Sequence, residues 1–133
     1  MKRIQLLGAT GSIGWQTVEI VEEYPESFSI VAITAHQNVD ALMDILKRHA
    51  STVETVVIAK EHCDRVLKEY PEIECLALED DGLLRLVRTD KDSVVLNALV
   101  GSVGLPPTLA AIETHKDVLL ANKESLVAGG PLI

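Results

Sequence analysis

Two stretches of this chain hold residue types whose chemistry depends on close spacing. The first is Gly8-Ala9-Thr10-Gly11-Ser12-Ile13-Gly14, where each glycine stands three positions from the next. Glycines spaced in this way let a chain turn sharply, admit an anion against backbone N–H groups, and let a following helix pack closely on a strand. In this reading Gly8 makes the turn, Gly11 leaves room for a phosphate, and Gly14 lies one turn into the helix. Thr10 and Ser12 add hydroxyl groups. A tight strand-to-helix turn with no ligand is the bland alternative. The loop follows the first apolar strand and opens an amphipathic helix, and that context favours a dinucleotide's pyrophosphate at the helix N-terminus.

The second stretch is Asn122-Lys123-Glu124-Ser125, which follows directly on the apolar run DVLLA at 117–121. Lys123 would set a cation in a crevice suited to a phosphate or hydroxy-ketone substrate, and Asn122 and Glu124 could hydrogen-bond a cofactor ribose. An ordinary helix start, with Asn as cap and Glu near the positive end, explains the same residues. The residues by themselves leave the two readings even.

The end of the second strand bears on which dinucleotide is held. NAD enzymes place a carboxylate there for the ribose 2′-OH. Here the segment is Thr34-Ala35-His36-Gln37-Asn38, and the first carboxylate is Asp40. That absence leans toward NADP, although no Arg or Lys stands in the segment to meet a 2′-phosphate. His36 and Gln37 can donate hydrogen bonds; Asn38 can do the same, or simply cap the next helix.

Other polar groups carry less. The four histidines (His36, His49, His62 and His115) are scattered without ligand spacing, so no metal site is expected. Asp80 and Asp81 read as a solvated helix start. Cys63 falls in line with Val66, Leu67 and Tyr70 and is expected to be a buried, inert thiol, whereas Cys75 lies in an apolar strand. Asn97 reads as a satisfied buried amide.

These groups need elements to position them. Apolar runs at 3–8, 29–35, 53–59, 73–78, 93–101 and 117–121 read as strands. Amphipathic segments alternate with them: 12–24, with Ile13, Thr17, Ile20, Val21 and Tyr24 on one face; a helix capped by Asn38, with Val39, Leu42, Met43 and Leu46; 61–70; 80–88, carrying Leu83, Leu84 and Val87; and a helix opened by Pro106-Pro107. Pro25 ends the first, because proline disfavours helical geometry in the residue before it. Short connections between alternating strands and helices predict an α/β fold: a doubly wound, Rossmann-like parallel sheet in a single domain over 1–133.

Composition agrees. Apolar residues make up 47% and aromatics 3%, so the core is built from Val, Leu, Ile and Ala, as a sheet covered on both faces requires. A net charge of −8 with no basic cluster argues against nucleic acid or an anionic membrane as partner. Two cysteines outside any CxxC do not make a disulfide scaffold. With no apolar leader and no run of about 20 apolar residues, the expected location is the cytoplasm. The end at GGPLI reads as a domain boundary or a truncation.

Taken together, GATGSIG, VGSVGLPPTLAAI (100–112) and LLANKESLV (119–127) resemble the 1-deoxy-D-xylulose 5-phosphate reductoisomerases, over Met1 to about Val127. The glycine loop alone is shared with several reductase families; NKESL combined with GLPPTLAAI at this spacing is far more specific. The resemblance implies an enzyme that isomerises 1-deoxy-D-xylulose 5-phosphate and reduces it with NADPH to 2-C-methyl-D-erythritol 4-phosphate, in non-mevalonate isoprenoid synthesis. It implies Mg²⁺ or Mn²⁺ as Lewis acid and a homodimer. It assigns Thr10, Gly11, Ser12 and Ile13 to the cofactor phosphates, Asn38, Asn122 and Glu124 to further cofactor contacts, and Lys123 to the substrate. Where the family commonly has Gly-Lys before the asparagine, this chain has His36-Gln37, which weakens the expected grip on a 2′-phosphate. The family's metal-binding carboxylates lie in a following domain, so this chain is expected to bind nucleotide without turning over. Another NADP-dependent reductase, such as a semialdehyde dehydrogenase, would need a cysteine nucleophile at a strand end, and Cys63 and Cys75 sit poorly for that. A nucleotide-sensing Rossmann module would have no use for Lys123.

Overall fold

Continuous apolar runs and 3.6-period stripes alternate along the chain, and the computed structural model turns each into an element. It describes residues 2–90, 92–99, 105–114 and 116–120. The strands are β1 (Lys2–Leu7), β2 (Phe28–Thr34), β3 (Thr55–Ile58), β4 (Glu74–Ala77), β5 (Ser93–Asn97) and β6 (Val118–Leu120). The helices between them are α1 (Ser12–Glu23), α2 (Val39–His49), α3 (Cys63–Glu69), α4 (Gly82–Val87) and α5 (Leu105–Glu113). Short 3-10 turns, Lys60–His62 and Leu78–Asp80, lead into α3 and α4.

The strands form one sheet in the order β4-β3-β2-β1-β5-β6, every pair parallel. The chain winds outward from β1 to β4, then crosses back to place β5 on the other side of β1. The reversal opens a crevice between the carboxyl ends of β1 and β5, the place where open α/β sheets bind ligands.

Two apolar layers cover the sheet. On one face, Val18 and Val21 of α1, Leu42 and Leu46 of α2 and Val66 of α3 pack on Ile4, Leu6, Ile30, Ile33 and Val56. On the other, Leu86 and Val87 of α4 with Ala110 and Ala111 of α5 pack on Leu7, Ala32, Val57 and Val95. Burial on both faces explains why FSIVAIT reads as an unbroken apolar run. Two expected stripes shift. In α1 the buried residues are Gly14, Thr17, Val18 and Val21, whereas Ile20 and Tyr24 are about half exposed. Gly14 explains the change: its missing side chain seats the helix closer along that line than the Ile13–Ile20–Tyr24 line allows. In α4 Leu86 and Val87 are buried and Leu83 and Leu84 only partly so.

Candidate functional site at the β1–α1 turn

The turn after β1 is shaped by its glycines. Gly8 has φ +82°, a left-handed conformation that side chains rarely adopt, and a Cβ there would lie 3.1 Å from the Ala98 carbonyl group. Its N–H donates to Thr34 Oγ1 at 2.9 Å, and the Ala9 N–H donates to the Thr34 carbonyl at 2.9 Å. The end of β2 therefore holds the bend from one side. From the other, the Ala98 N–H donates to the Leu7 carbonyl at 2.9 Å. The bend thus sits at the crossover crevice, pinned by both neighbouring strands.

Gly14 and Gly11 do different work. A Cβ on Gly14 would stand 2.3 Å from the Gly8 carbonyl oxygen and 2.5 Å from that of Ala9, so only glycine lets α1 lie against the bend. Among the described residues, a Cβ on Gly11 would meet only the Gly8 carbonyl oxygen, at an ordinary 3.8 Å. Gly11 is exposed, and it is the N-cap of α1. Among the described residues no side chain caps that N-terminus, and the first turn carries no acidic residue. The first intrahelical bond runs from the Trp15 N–H to the Gly11 carbonyl at 2.9 Å. Ahead of it the Gly11 N–H donates to the Gly8 carbonyl at 3.4 Å, while the Ser12 and Ile13 amides have no intrahelical acceptor and stand at the positive end of the helix, with Gly11 and Ser12 exposed.

The carboxyl end of β2 lies alongside. His36, Gln37 and Asn38 are all exposed. Asn38 caps α2: its Oδ1 accepts from the Ala41 N–H at 3.1 Å, leaving its side-chain amide N–H groups to point elsewhere. Gln37 Oε1 lies 3.0 Å from His62 Nε2. Asp40 is held by Arg65 Nη1 at 2.7 Å. The turn after β3 comes close, because the Ala59 N–H donates to the His36 carbonyl at 3.1 Å. Lys60 follows, with its N–H on Glu79 Oε1 at 2.9 Å. That backbone bond, aided by the charges of His36 and Lys60, holds the Glu79 carboxyl below its ordinary range. Reading one strand at a time finds no cation at the end of β2. Lys60 and His62 come from the neighbouring strand's turn, and only β2–β3 pairing, visible as strand order, could have suggested them.

Asn97 is buried, and its Oδ1 accepts from the Leu99 N–H at 3.1 Å, as expected for a satisfied amide. Asn122, Lys123 and Glu124 lie outside the described residues, as do Gly101–Gly104. Among the described residues no three His, Cys, Asp or Glu side chains gather as a metal would need. A cleft between residues 50–54 and 69–73, carrying Glu54, Glu69 and Glu72, lies at the amino ends of β3 and β4, across the sheet from the bend. Among the described residues no helix is long and apolar enough to cross a membrane.

Comparison with known proteins bears on this geometry. A family model described as 1-deoxy-D-xylulose 5-phosphate reductoisomerase matches residues 4–130. Reductoisomerases of that name from Gloeobacter violaceus and Clostridium perfringens are each 39% identical to this chain over its full length, and it spans 34% and 35% of theirs. A crystal structure of DOX-P reductoisomerase in complex with NADPH, fosmidomycin and magnesium superposes with a TM-score of 0.83 at 31% identity, covering 96% of this chain and 31% of that one. The Zymomonas mobilis enzyme in complex with NADPH gives a TM-score of 0.76 at 37% identity, covering 96% and 34%. The chain thus spans about a third of the length of the relatives it matches. By the extent of the family match and by its fold, it belongs to the 1-deoxy-D-xylulose 5-phosphate reductoisomerase family.

Proposed function

We propose that this chain is the NADPH-binding domain of an enzyme that isomerises and reduces 1-deoxy-D-xylulose 5-phosphate. One observation carries the reading: a helix N-terminus with no side-chain cap among the described residues opens from a glycine bend at the crossover crevice, and there a Cβ on Gly11 would meet only the Gly8 carbonyl oxygen, at 3.8 Å. The residues fit a diphosphate. The Ser12 and Ile13 amides donate to it, the Thr10 and Ser12 hydroxyls add bonds, Gly8 sets the turn and Gly11 gives access. When bound, NADPH supplies the hydride for the reductive step.

The adenosine ribose then lies over the end of β2, against His36 and the Asn38 amide, with Lys60 and His62 beside them. Asn122 and Glu124 complete the cofactor contacts and Lys123 the substrate contact, a reading that rests on family membership. The same membership supports a single domain over 1–133, with metal-binding and lid residues elsewhere in the enzyme, a homodimer, and a place in the cytoplasm. The described residues offer no group of three His, Cys, Asp or Glu side chains for Mg²⁺ or Mn²⁺.

Calorimetric titration of NADPH and NADH tests the reading. NADPH binding to the wild type, with loss of at least about 10-fold in affinity in Gly11→Val, is the expected result. Equal binding by both proteins defeats it.

A further inference from the structure

Thr34 is the last residue of β2, and only 1% of its surface is exposed. Valine has the same shape and lacks the hydroxyl, which costs free energy to bury unless it is bonded. The bond it makes is to the glycine bend. Two consecutive amides there turn to Thr34: the Ala9 N–H donates to its carbonyl at 2.9 Å, and the Gly8 N–H donates to its Oγ1, also at 2.9 Å. Gly8 sits at φ +82° with no Cβ to limit rotation, so that side-chain bond fixes the peptide that glycine alone would leave loose. The Gly8 carbonyl, on the next peptide, accepts from the Gly11 N–H at 3.4 Å, and α1 lies against it where Gly14 has no side chain. A rotation at Gly8 would therefore carry the start of α1 with it. Two residues beyond Thr34, the same strand end delivers His36.

We infer that Thr34 is a positioning residue of the nucleotide site, its hydroxyl setting Gly8, and through Gly8 the Ser12 and Ile13 amides, in register with His36 and Asn38. The inference rests on the proposed NADPH site and adds to it a buried group that acts only through the bend. Removing the hydroxyl leaves the Gly8 N–H without its acceptor, and rotation of the bend relieves that cost. A dinucleotide touches the helix N-terminus and the end of β2 at once. Part of its binding energy must then go to restoring the bend. A ligand that touches only the end of β2 needs no such restoration.

The test is calorimetric titration of NADPH into the wild type and into Thr34→Val, Thr34→Ser and Thr34→Ala, each held well below its own unfolding midpoint. Loss should follow the hydroxyl and not the volume. Val and Ala should each weaken NADPH by about 10-fold, while Ser stays within about 3-fold of the wild type. Adenosine 2′-monophosphate, which reaches only the β2 end, should bind the wild type and Thr34→Val within about 2-fold of each other. Wild-type binding of NADPH with equal binding by Val overturns the inference alone. So does loss that follows volume, with Ser and Ala both weak and Val normal. Equal loss of the monophosphate and NADPH in Val would mark general loosening and overturn it too. Failure of the wild type to bind NADPH overturns the site itself and the inference with it.

Discussion

The two edges of the sheet are built on opposite terms. At the amino ends of the strands, polar groups satisfy one another. Arg3 donates to Asp90 Oδ2 through Nε at 2.8 Å and through Nη2 at 2.6 Å, and to Glu54 Oε1 at 2.9 Å. Lys116, buried before β6, donates to Gln5 Oε1 at 2.7 Å and to the Thr89 carbonyl; Gln5 Nε2 in turn donates to the Leu86 carbonyl at 3.1 Å. At the carboxyl ends, among the described residues, no side chain caps the α1 N-terminus and a Cβ on Gly11 would meet nothing closer than 3.8 Å. Parallel strands put all their carboxyl ends on one side, so a single closed edge lets the other stay open without loss of the fold. The carboxyl edge is where the proposed nucleotide site lies.

Substitutions at the two helix glycines break that comparison most sharply. Gly14→Ala should gain about 1 kcal/mol of helix propensity. The new Cβ would stand 2.3 Å from the Gly8 carbonyl, and backbone cannot move aside as a flexible side chain can. The clash wins, and urea denaturation should show a net loss of about 3 kcal/mol. Gly11→Val lies three residues away on the same bend, and its Cβ meets nothing closer than 3.8 Å among the described residues. Its stability should change by less than about 1 kcal/mol, while nucleotide affinity falls by about 2 kcal/mol, or some 30-fold. Equal destabilisation by the two substitutions would mean that Gly11 is structural and that the open edge is not built for a ligand.

Those two glycines also show what the sequence carries. Their spacing revealed a bend and a helix start, because glycine at a forced turn and at a close contact has a local cause. Sheet membership was equally legible: six buried runs separated by amphipathic segments became six strands in a parallel sheet. The burial stripe of α1 was harder to read. Ile13, Ile20 and Tyr24 look like a face by type, but the side a helix buries depends on where its partner lets it approach. Pairings across elements were out of reach. Lys116 on Gln5 and His62 on Gln37 each join residues whose proximity depends on strand order rather than on local pattern.

At the closed edge, Lys116 offers a test through pH. Desolvation lowers its ammonium from 10.5 to about 8, with Asp90 opposing. In the unfolded chain the group holds its proton up to the higher value. Between those limits the unfolded state binds more protons, so stability rises with pH across that window and the cost of the buried charge is felt below about pH 8. From about pH 8 to about pH 9 the gain should be about 1 kcal/mol. Lys116→Met removes the charge but leaves Gln5 Oε1 and the Thr89 carbonyl without their donor, at about 2 kcal/mol near neutrality. A Met variant whose stability still climbs over that pH step would assign the rise to another group. Nucleotide affinity should be unaltered in it, because the edges act separately.

The smallest effect comes from Asn38, which stands where helix and proposed cofactor site meet. Its Oδ1 caps α2 through the Ala41 N–H, so Asn38→Ala should cost about 1 kcal/mol of stability. Asn38→Asp keeps that acceptor, and the added negative charge suits the helix N-terminus, so stability should hold. The same change removes the amide N–H groups and brings a carboxylate to the end of β2. There a 2′-phosphate would be repelled and a ribose 2′-OH accepted. Asn38→Asp should therefore weaken NADPH about 10-fold while leaving NADH unchanged or tighter. A parallel loss of both nucleotides would place Asn38 outside the ribose contact and reduce it to a cap. No change in either would move the adenosine away from β2 altogether.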